Sequence, residues 1–415
     1  MKKTAQGRRA GGPRPRERAS AGRNGENGAA AARRRFGNGA AAEILTFAVV
    51  AALTIVFLVT GLRSISGFVS VADPSLRYYR AVVTETDDSL LAPPDYGGER
   101  SFGLQTVYLR LLEGPYAGRD VTAKNSVMAD SYIHPSKGDE MIVSVDAREN
   151  GELYTLLVSH YRVPGILFVT AVFVLLLLVT CRAKGLRALF GLVFTLVTIF
   201  FFTIPRIYEG ASPILCAIFT SMLTSGLSLL LLNGYSKKTL ASVLATFVGF
   251  VAAGVIFGVF SSISNLSGYN AQQLGMLSYF AAHSGMQLRH LLFAGVLIAS
   301  IGAVMDVSVS IASAVHEVHV ADPGLGINAL YKSGMEVAKD AIGTMSNTLI
   351  LAFTGGALAN LMALMGYGIQ FNRFFNSNYI ALEIGQGLSA SAALIVTAPL
   401  TSLFASIIWR SNRLA

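Results

Sequence analysis

The sequence predicts an α-helical polytopic membrane protein of about eight transmembrane helices that carries one small β-rich domain outside the membrane. Three observations point to that class. Of the 415 residues 53% are hydrophobic and only 14% charged, with a mean hydropathy of +0.53, which places most of the chain in lipid rather than in two or three soluble domains. Its apolar residues fall in runs of about twenty, the length that crosses a bilayer core of roughly 30 Å. One long interval, Asp73 to Tyr161, has no such run and instead alternates and turns.

Residues 1–39 are rich in Arg, Gly, Ala and Pro, a composition that buries no core and predicts a disordered basic tail. Arg33, Arg34 and Arg35 stand ahead of the first apolar run, 40–62, and so place the N-terminus in the cytoplasm, with the run as a retained anchor. A cleaved leader is the alternative, because Ser70-Val71-Ala72 resembles a small-residue cleavage site. The run is long for a leader.

The 73–161 interval reads as strands at Arg80–Thr84, Gln105–Leu111, Met141–Val145 and Leu153–Val158. Turn signals separate them: Glu113-Gly114-Pro115, Ala117-Gly118, Lys137-Gly138-Asp139 and Glu149-Asn150-Gly151. Short strands at this spacing predict a small barrel or sandwich, OB-like among the options, on the outer side of the membrane. Its strands lack a basic, aromatic-studded face, so a protein partner is expected there and nucleic acid is not. The net charge of +9 does not alter this, because the basic residues crowd into the first forty positions and the short loops. Cys181 and Cys216 are the only cysteines, and both lie outside the interval, which excludes a disulfide framework and a thiolate zinc site.

Residues 164–409 form the membrane domain, with spans at 164–181, 186–204, 211–232, 239–260, 289–315, 341–366 and 380–409. Arg182, Lys184 and Arg187, then Lys237 and Lys238, then Arg410 and Arg413 all fall on the side shared with the N-terminus. Both termini are therefore expected in the cytoplasm, with the β-domain across the plasma membrane from them. Two stretches resist a spanning assignment. Residues 262–287 are too polar and suit an interfacial or re-entrant piece, and Ile327–Asp340 suits an amphipathic helix at the inner surface.

Asp306 is the residue that demands explanation. A carboxylate at membrane depth costs about 2.5 kcal/mol or more, so it ordinarily faces a bundle interior or a wet cavity and has a partner. At helical spacing it shares a small, polar face with Ala303, Ser310 and Ser313. The next span opens with Thr344, Asn347 and Thr348, at a depth where Asn347 would meet Asp306. A second layer lies near the outer end, where Asn360 and the i, i+3 pair Glu383 and Gln386 would line a path. Gly355-Gly356 would allow close packing or a break between the layers. This pattern points to a site for a proton, a cation or a small solute, with no cofactor. The competing account makes Asp306 a buried residue that is protonated, or one hydrogen-bonded to Asn347 or Ser310 as interhelical glue.

Enzyme chemistry finds little support. His316-Glu317-Val318-His319 spaces its histidines three apart where the zinc-protease helix spaces them four, so a solvated helix end is expected rather than a metal held with Asp322. No Walker A pattern occurs, no second deep aspartate accompanies Asp306, and Gly387-Leu388-Ser389-Ala390 lacks a glycine after its serine.

The run Gly302-Ala303-Val304-Met305-Asp306-Val307, with Ser310 to Ser313, Lys332-Ser333-Gly334-Met335, Asp340 and Gly343-Thr344-Met345-Ser346-Asn347-Thr348, resembles the YibE/F-like family of bacterial polytopic membrane proteins. The resemblance extends from about Pro164 to Thr401 and takes in Ile204-Pro205, Gly210 to Pro213, Asn378, Glu383 and Pro399-Leu400-Thr401. Glu336-Val337-Ala338-Lys339 departs from it, since family members look more like Asn-Ile-Gly-Arg there. The resemblance implies the multi-pass architecture and brings no substrate. A secondary transporter or permease is the expected activity, and a non-transporting assembly or sensor protein that works through the outer β-domain is the alternative.

Overall fold

A computed structural model describes residues 41–65, 77–92, 101–128, 133–147, 153–266, 288–366 and 370–410. Two compact units result, Val69–Arg182 and a second made of Met1–Phe68 with Ala183–Ala415.

The first unit begins with six strands: β1 (Arg77–Asp87), β2 (Leu91–Ala92), β3 (Phe102–Leu111), β4 (Asp120–Val127), β5 (Glu140–Ala147) and β6 (Leu153–His160). β1 pairs antiparallel with both β3 and β5, β3 with β4, and β5 with β6. One parallel bridge, Ala123 to Thr155, joins β4 to β6 and closes a small five-stranded barrel, to which β2 adds two residues along β3. Alternation drives the closure, because successive side chains point to opposite faces. Ala81, Val83, Val107, Leu109, Val121, Ala123, Met141 and Val143 fill the inside. At the β3–β4 turn, Gly114 has φ +84 and lies against the Tyr79 ring, where a Cβ would overlap it. β4 is a strand absent from the sequence reading. Its polar sequence DVTAKNSV hides an inward set of Val121, Ala123, Asn125 and Val127.

The helices are α1 (Ala41–Ile65), α2 (Val163–Thr198), α3 (Ile204–Tyr208), α4 (Pro213–Asn233), α5 (Lys237–Ile263), α6 (Leu288–Ala321), α7 (Ile327–Gly366), α8 (Phe371–Phe375) and α9 (Asn378–Arg410). Among the described residues, seven helical stretches are long and apolar enough to cross a membrane, where the sequence predicts eight spans. The difference is one of counting and lies at 164–204, where two helices that meet at a kink form one stretch. There α2, a π turn at Ile199–Thr203 and α3 run on as one stretch, Val163–Tyr208, of 46 residues. Its parts before and after the kink are each long enough for one crossing and match the expected spans 164–181 and 186–204. Arg182 alone breaks it, at φ 48 and ψ −124. No residue of α2 before that break is buried, and Leu167, Phe168, Val169 and Leu175 are all exposed, as suits a helix that is apolar all round.

A second difference concerns Ile327–Asp340, which is no separate surface helix. It is the first part of the 40-residue α7, since neither Gly-Pro punctuation nor a cap interrupts Lys339-Asp340-Ala341-Ile342. Lys339 pairs on its exposed surface with Glu336 at 2.8 Å. The basic tail 1–39 lies outside the described residues, as does 262–287 from Ser267 on.

Within the second unit, α1 runs parallel to the stretch from Arg187 to Glu209 and is pinned at both ends. Arg187 donates to Glu43 at 2.8 Å, and the Ser64 hydroxyl to Glu209 at 2.5 Å. Val50, Phe57, Phe194 and Leu231 pack between the pins. The central helix is α9, which meets α5, α6 and α7. Its buried face is built of small residues, among them Gly385, Ala390, Ala393, Thr397, Ala398, Ser402 and Ala405. Small side chains let helix backbones approach closely. A Cβ on Gly249 of α5 would overlap the Thr397 hydroxyl, and one on Gly334 of α7 would overlap Ser402. Ser402 in turn donates to the Tyr331 carbonyl at 2.9 Å, tying α9 to α7.

Candidate functional site

Asp306 falls near the middle of α6. The buried side of that helix at this level is Val304, Val307, Ser308, Ile311 and Ala312. Asp306 is on the other side, exposed in line with Gly302 and Ser310, with Ala303 and Ser313 half-buried beside them. The small, polar face read from the spacing is therefore present, and no element of the described residues buries it. Neither a hydrogen bond nor a cation reaches the Asp306 carboxylate from the described residues. Neither Asn347 nor Ser310 makes the bond to it that the glue account describes.

The α7 residues expected to meet Asp306 are arranged otherwise. α7 packs through Ala341, Ile342, Met345 and Leu349 against Val307, Ile311 and Leu394. Asn347, two residues after Met345 and so roughly 200° further round the helix, points away from that contact and is exposed. Thr344 and Thr348 are exposed as well, and each hydroxyl donates to its own helix, Thr344 to the Asp340 carbonyl at 3.1 Å and Thr348 to the Thr344 carbonyl at 3.0 Å. Gly355 and Gly356 lie within unbroken helix with open space at their Cβ positions.

Of the outer layer, Glu383 lines a cavity. A cleft of about 360 Å³ between α7 and α9, roofed by α8, is walled by Phe353, Phe374, Phe375, Ile384 and other apolar side chains, and Glu383 is its one charged lining residue. Tyr379, one turn earlier on α9, hydrogen-bonds the carboxylate. Asn360 and Gln386 are half-buried and do not line this cleft.

Two polar features escaped the sequence reading. Buried hydroxyls join helices at two places: Thr203 meets Thr220 at 2.6 Å, and Thr246 meets Ser308 at 2.9 Å while Ser242 donates to the Ser308 carbonyl at 3.2 Å. The runs are so rich in Ser and Thr that sequence alone does not rank them. The second feature explains the histidine pair. His316 and His319 both stack on Trp409 of α9, with centroids 4.4 and 5.4 Å away, and the Lys237 ammonium lies 5.1 Å over the same ring. The solvated end predicted for the two imidazoles is thus a packed aromatic joint between α6 and α9. Their Nδ1 atoms and the Trp409 Nε1 are buried without a hydrogen-bond partner among the described residues. Asp322, the third ligand considered, instead accepts from the Gly324 backbone at 2.8 Å. No group of three metal-ligating side chains occurs among the described residues.

No match was found among curated proteins or among solved structures. The family described as YibE/F-like protein matches residues 169–411, more than half of the chain and all of the helices around Asp306 and Glu383. On that match, and on the motif around Asp306 that first suggested it, the chain belongs to the YibE/F-like family.

Proposed function

We propose that this chain is a multi-pass permease of a bacterial plasma membrane that passes a proton, a cation or a small solute along the open face of α6, with Asp306 as the group that binds it. One observation carries the reading: a carboxylate in the middle of an apolar helix has no partner among the described residues and stands on a strip of small residues. An ionisable residue at membrane depth ordinarily has a partner and marks an ion or substrate path, and here the partner's place is left to a ligand. Gly302 and Ser310, one turn to either side, leave room for water or a partly hydrated ion beside the carboxylate. Thr344 and Thr348 keep acceptor lone pairs on the neighbouring helix.

The topology that suits this reading has eight crossings. The basic Cys181-Arg182-Ala183-Lys184 break would be a tight inner turn between two crossings of the Val163–Tyr208 stretch, with both termini cytoplasmic and the OB-like barrel outside. The parallel pairing of α1 with the Arg187–Glu209 stretch fits, since both would run outward.

The test is thermal unfolding of the purified wild type and Asp306→Asn across pH and a panel of monovalent and divalent cations. A ligand at one hundred times its Kd raises stability by about 2.7 kcal/mol, so a bound cation would be evident. A cation- or pH-linked shift confined to wild type is the expected result, followed by loss of flux for Asp306→Asn in proteoliposomes. Identical profiles for the two proteins would sink the permease reading. They would favour an assembly or sensor role for the barrel, whose β6 strand exposes Tyr154, Leu156 and Val158 at alternate positions for a protein partner.

A further inference from the structure

We infer that the α7–α9 cleft is a binding site for a lipophilic organic cation, a bulky apolar body bearing one delocalised or quaternary positive charge. This site is separate from the Asp306 strip and stands whether or not Asp306 exchanges an ion. Three features of the cleft select that chemistry. Its volume of about 360 Å³ is within the range of small-molecule sites, and it is large for a metal ion or a hydrated inorganic cation. Its walls offer almost no hydrogen bonds. Thr354 and Glu383 are the polar side chains on a lining otherwise made of Ile, Leu, Phe, Ala and Gly, which disfavours sugars, amino acids and other strongly hydrated solutes.

The third feature is charge. Glu383 has a hydrogen bond from Tyr379 and no cationic partner among the described residues, so the cleft presents one uncompensated carboxylate in apolar surroundings. A bound cation supplies the missing charge. Phe353, Phe374 and Phe375 add aromatic rings to the lining, and such rings attract cations with weakly held hydration shells. A neutral hydrocarbon would fill the walls and leave Glu383 unsatisfied, and an anion would be repelled by it.

Tetraphenylphosphonium and tetraphenylborate test the inference, because they share size and shape and differ in the sign of their charge. Binding is measured by equilibrium dialysis on full-length protein in lipid nanodiscs, with empty nanodiscs as the partition blank. Wild type is expected to bind the phosphonium saturably at one site and the borate no better than the blank. Glu383→Gln should weaken the phosphonium about thirtyfold or more, the effect of removing one partner of a desolvated charge pair. Leu388→Trp, a substitution on the lining that keeps the carboxylate and fills the volume, should weaken it as well. Asp306→Asn should leave it within about twofold of wild type, which separates this site from the permease reading. Absence of saturable phosphonium binding to wild type would overturn the inference. So would equal binding of the borate, or an unchanged Glu383→Gln, because each would make the cleft an apolar groove for lipid chains.

Discussion

Asn125 and Gln105 show how one buried residue in the barrel depends on another. The Asn125 amide donates to the Gln105 carbonyl at 2.9 Å and to the Ile133 backbone at 2.7 Å, while Gln105, fully buried, donates to Asp88 at 2.8 Å. Asn125→Val should lower barrel stability by about 1–3 kcal/mol, since it leaves the Gln105 carbonyl buried and unpaired. Asn125→Val with Gln105→Leu should recover part of that loss in chemical-denaturation midpoints. On the barrel surface Arg110 donates to Asp120 at 2.8 Å, and that bond holds the Asp120 carboxyl below its ordinary 3.8. A carboxylate with a depressed folded value adds stability above its unfolded value and loses it as pH falls through the folded one. Asp120→Asn should therefore change the melting profile little at neutral pH, the pair being exposed, and flatten the acid limb that begins below about pH 4. Residues were legible from sequence where their presence was expensive. Asp306 and Glu383 stood out because carboxylates are rare in apolar runs, and the structure gives each a distinct setting. Asn347 was placed beside Asp306 on depth alone, and the rotational phase of α7 turns it away. Phase is set by Met345 and Leu349, whose packing partners belong to other helices.

At the scale of an element, α9 and α5 approach because Gly249 carries no side chain where Thr397 lies against it. Gly249→Ala should cost about 1–3 kcal/mol by overpacking, and Thr397→Ala introduced with it should restore part of the loss; unfolding followed in detergent would measure both. Equal destabilisation with and without the Thr397 change would mean that the two helices do not meet there as closely as described. Element boundaries were legible where apolar runs had basic or Gly-Pro edges, as at Pro213 and Lys237. They failed where an edge was marked only by polarity. Lys332, Glu336, Lys339 and Asp340 suggested a surface helix distinct from the next span, but polarity changes which solvent a helix meets and does not stop its hydrogen bonding. β4 was lost for a related reason: its outward Thr122, Lys124 and Ser126 masked an inward alternation that is complete only when β3 and β6 are beside it.

For the whole molecule, the division into a barrel and a helical bundle was legible because hydrophobic period and run length change together after Tyr161. The way the bundle is filled was not, since Gly and Ser in an apolar run look alike whether they meet lipid or a neighbouring helix. The proposed topology predicts that cysteines introduced at Lys124 and Lys332, in a Cys181→Ser, Cys216→Ser background, react with an impermeant maleimide from opposite faces of inverted and right-side-out vesicles. Labelling of both from one face would remove the inside-outside assignment. Trp409 gives the molecule a further property. It is the only tryptophan in the chain, and its ring touches two imidazoles from α6 and faces an ammonium from the start of α5. Imidazoles quench indole emission at contact, so the intrinsic fluorescence of the unlabelled protein reports from one place. A dim wild type that brightens in His316→Ala or His319→Ala would show that the joint is closed at rest. Any later brightening under a changed condition would then report, in real time and without a dye, a loosening of the contact between α6 and α9.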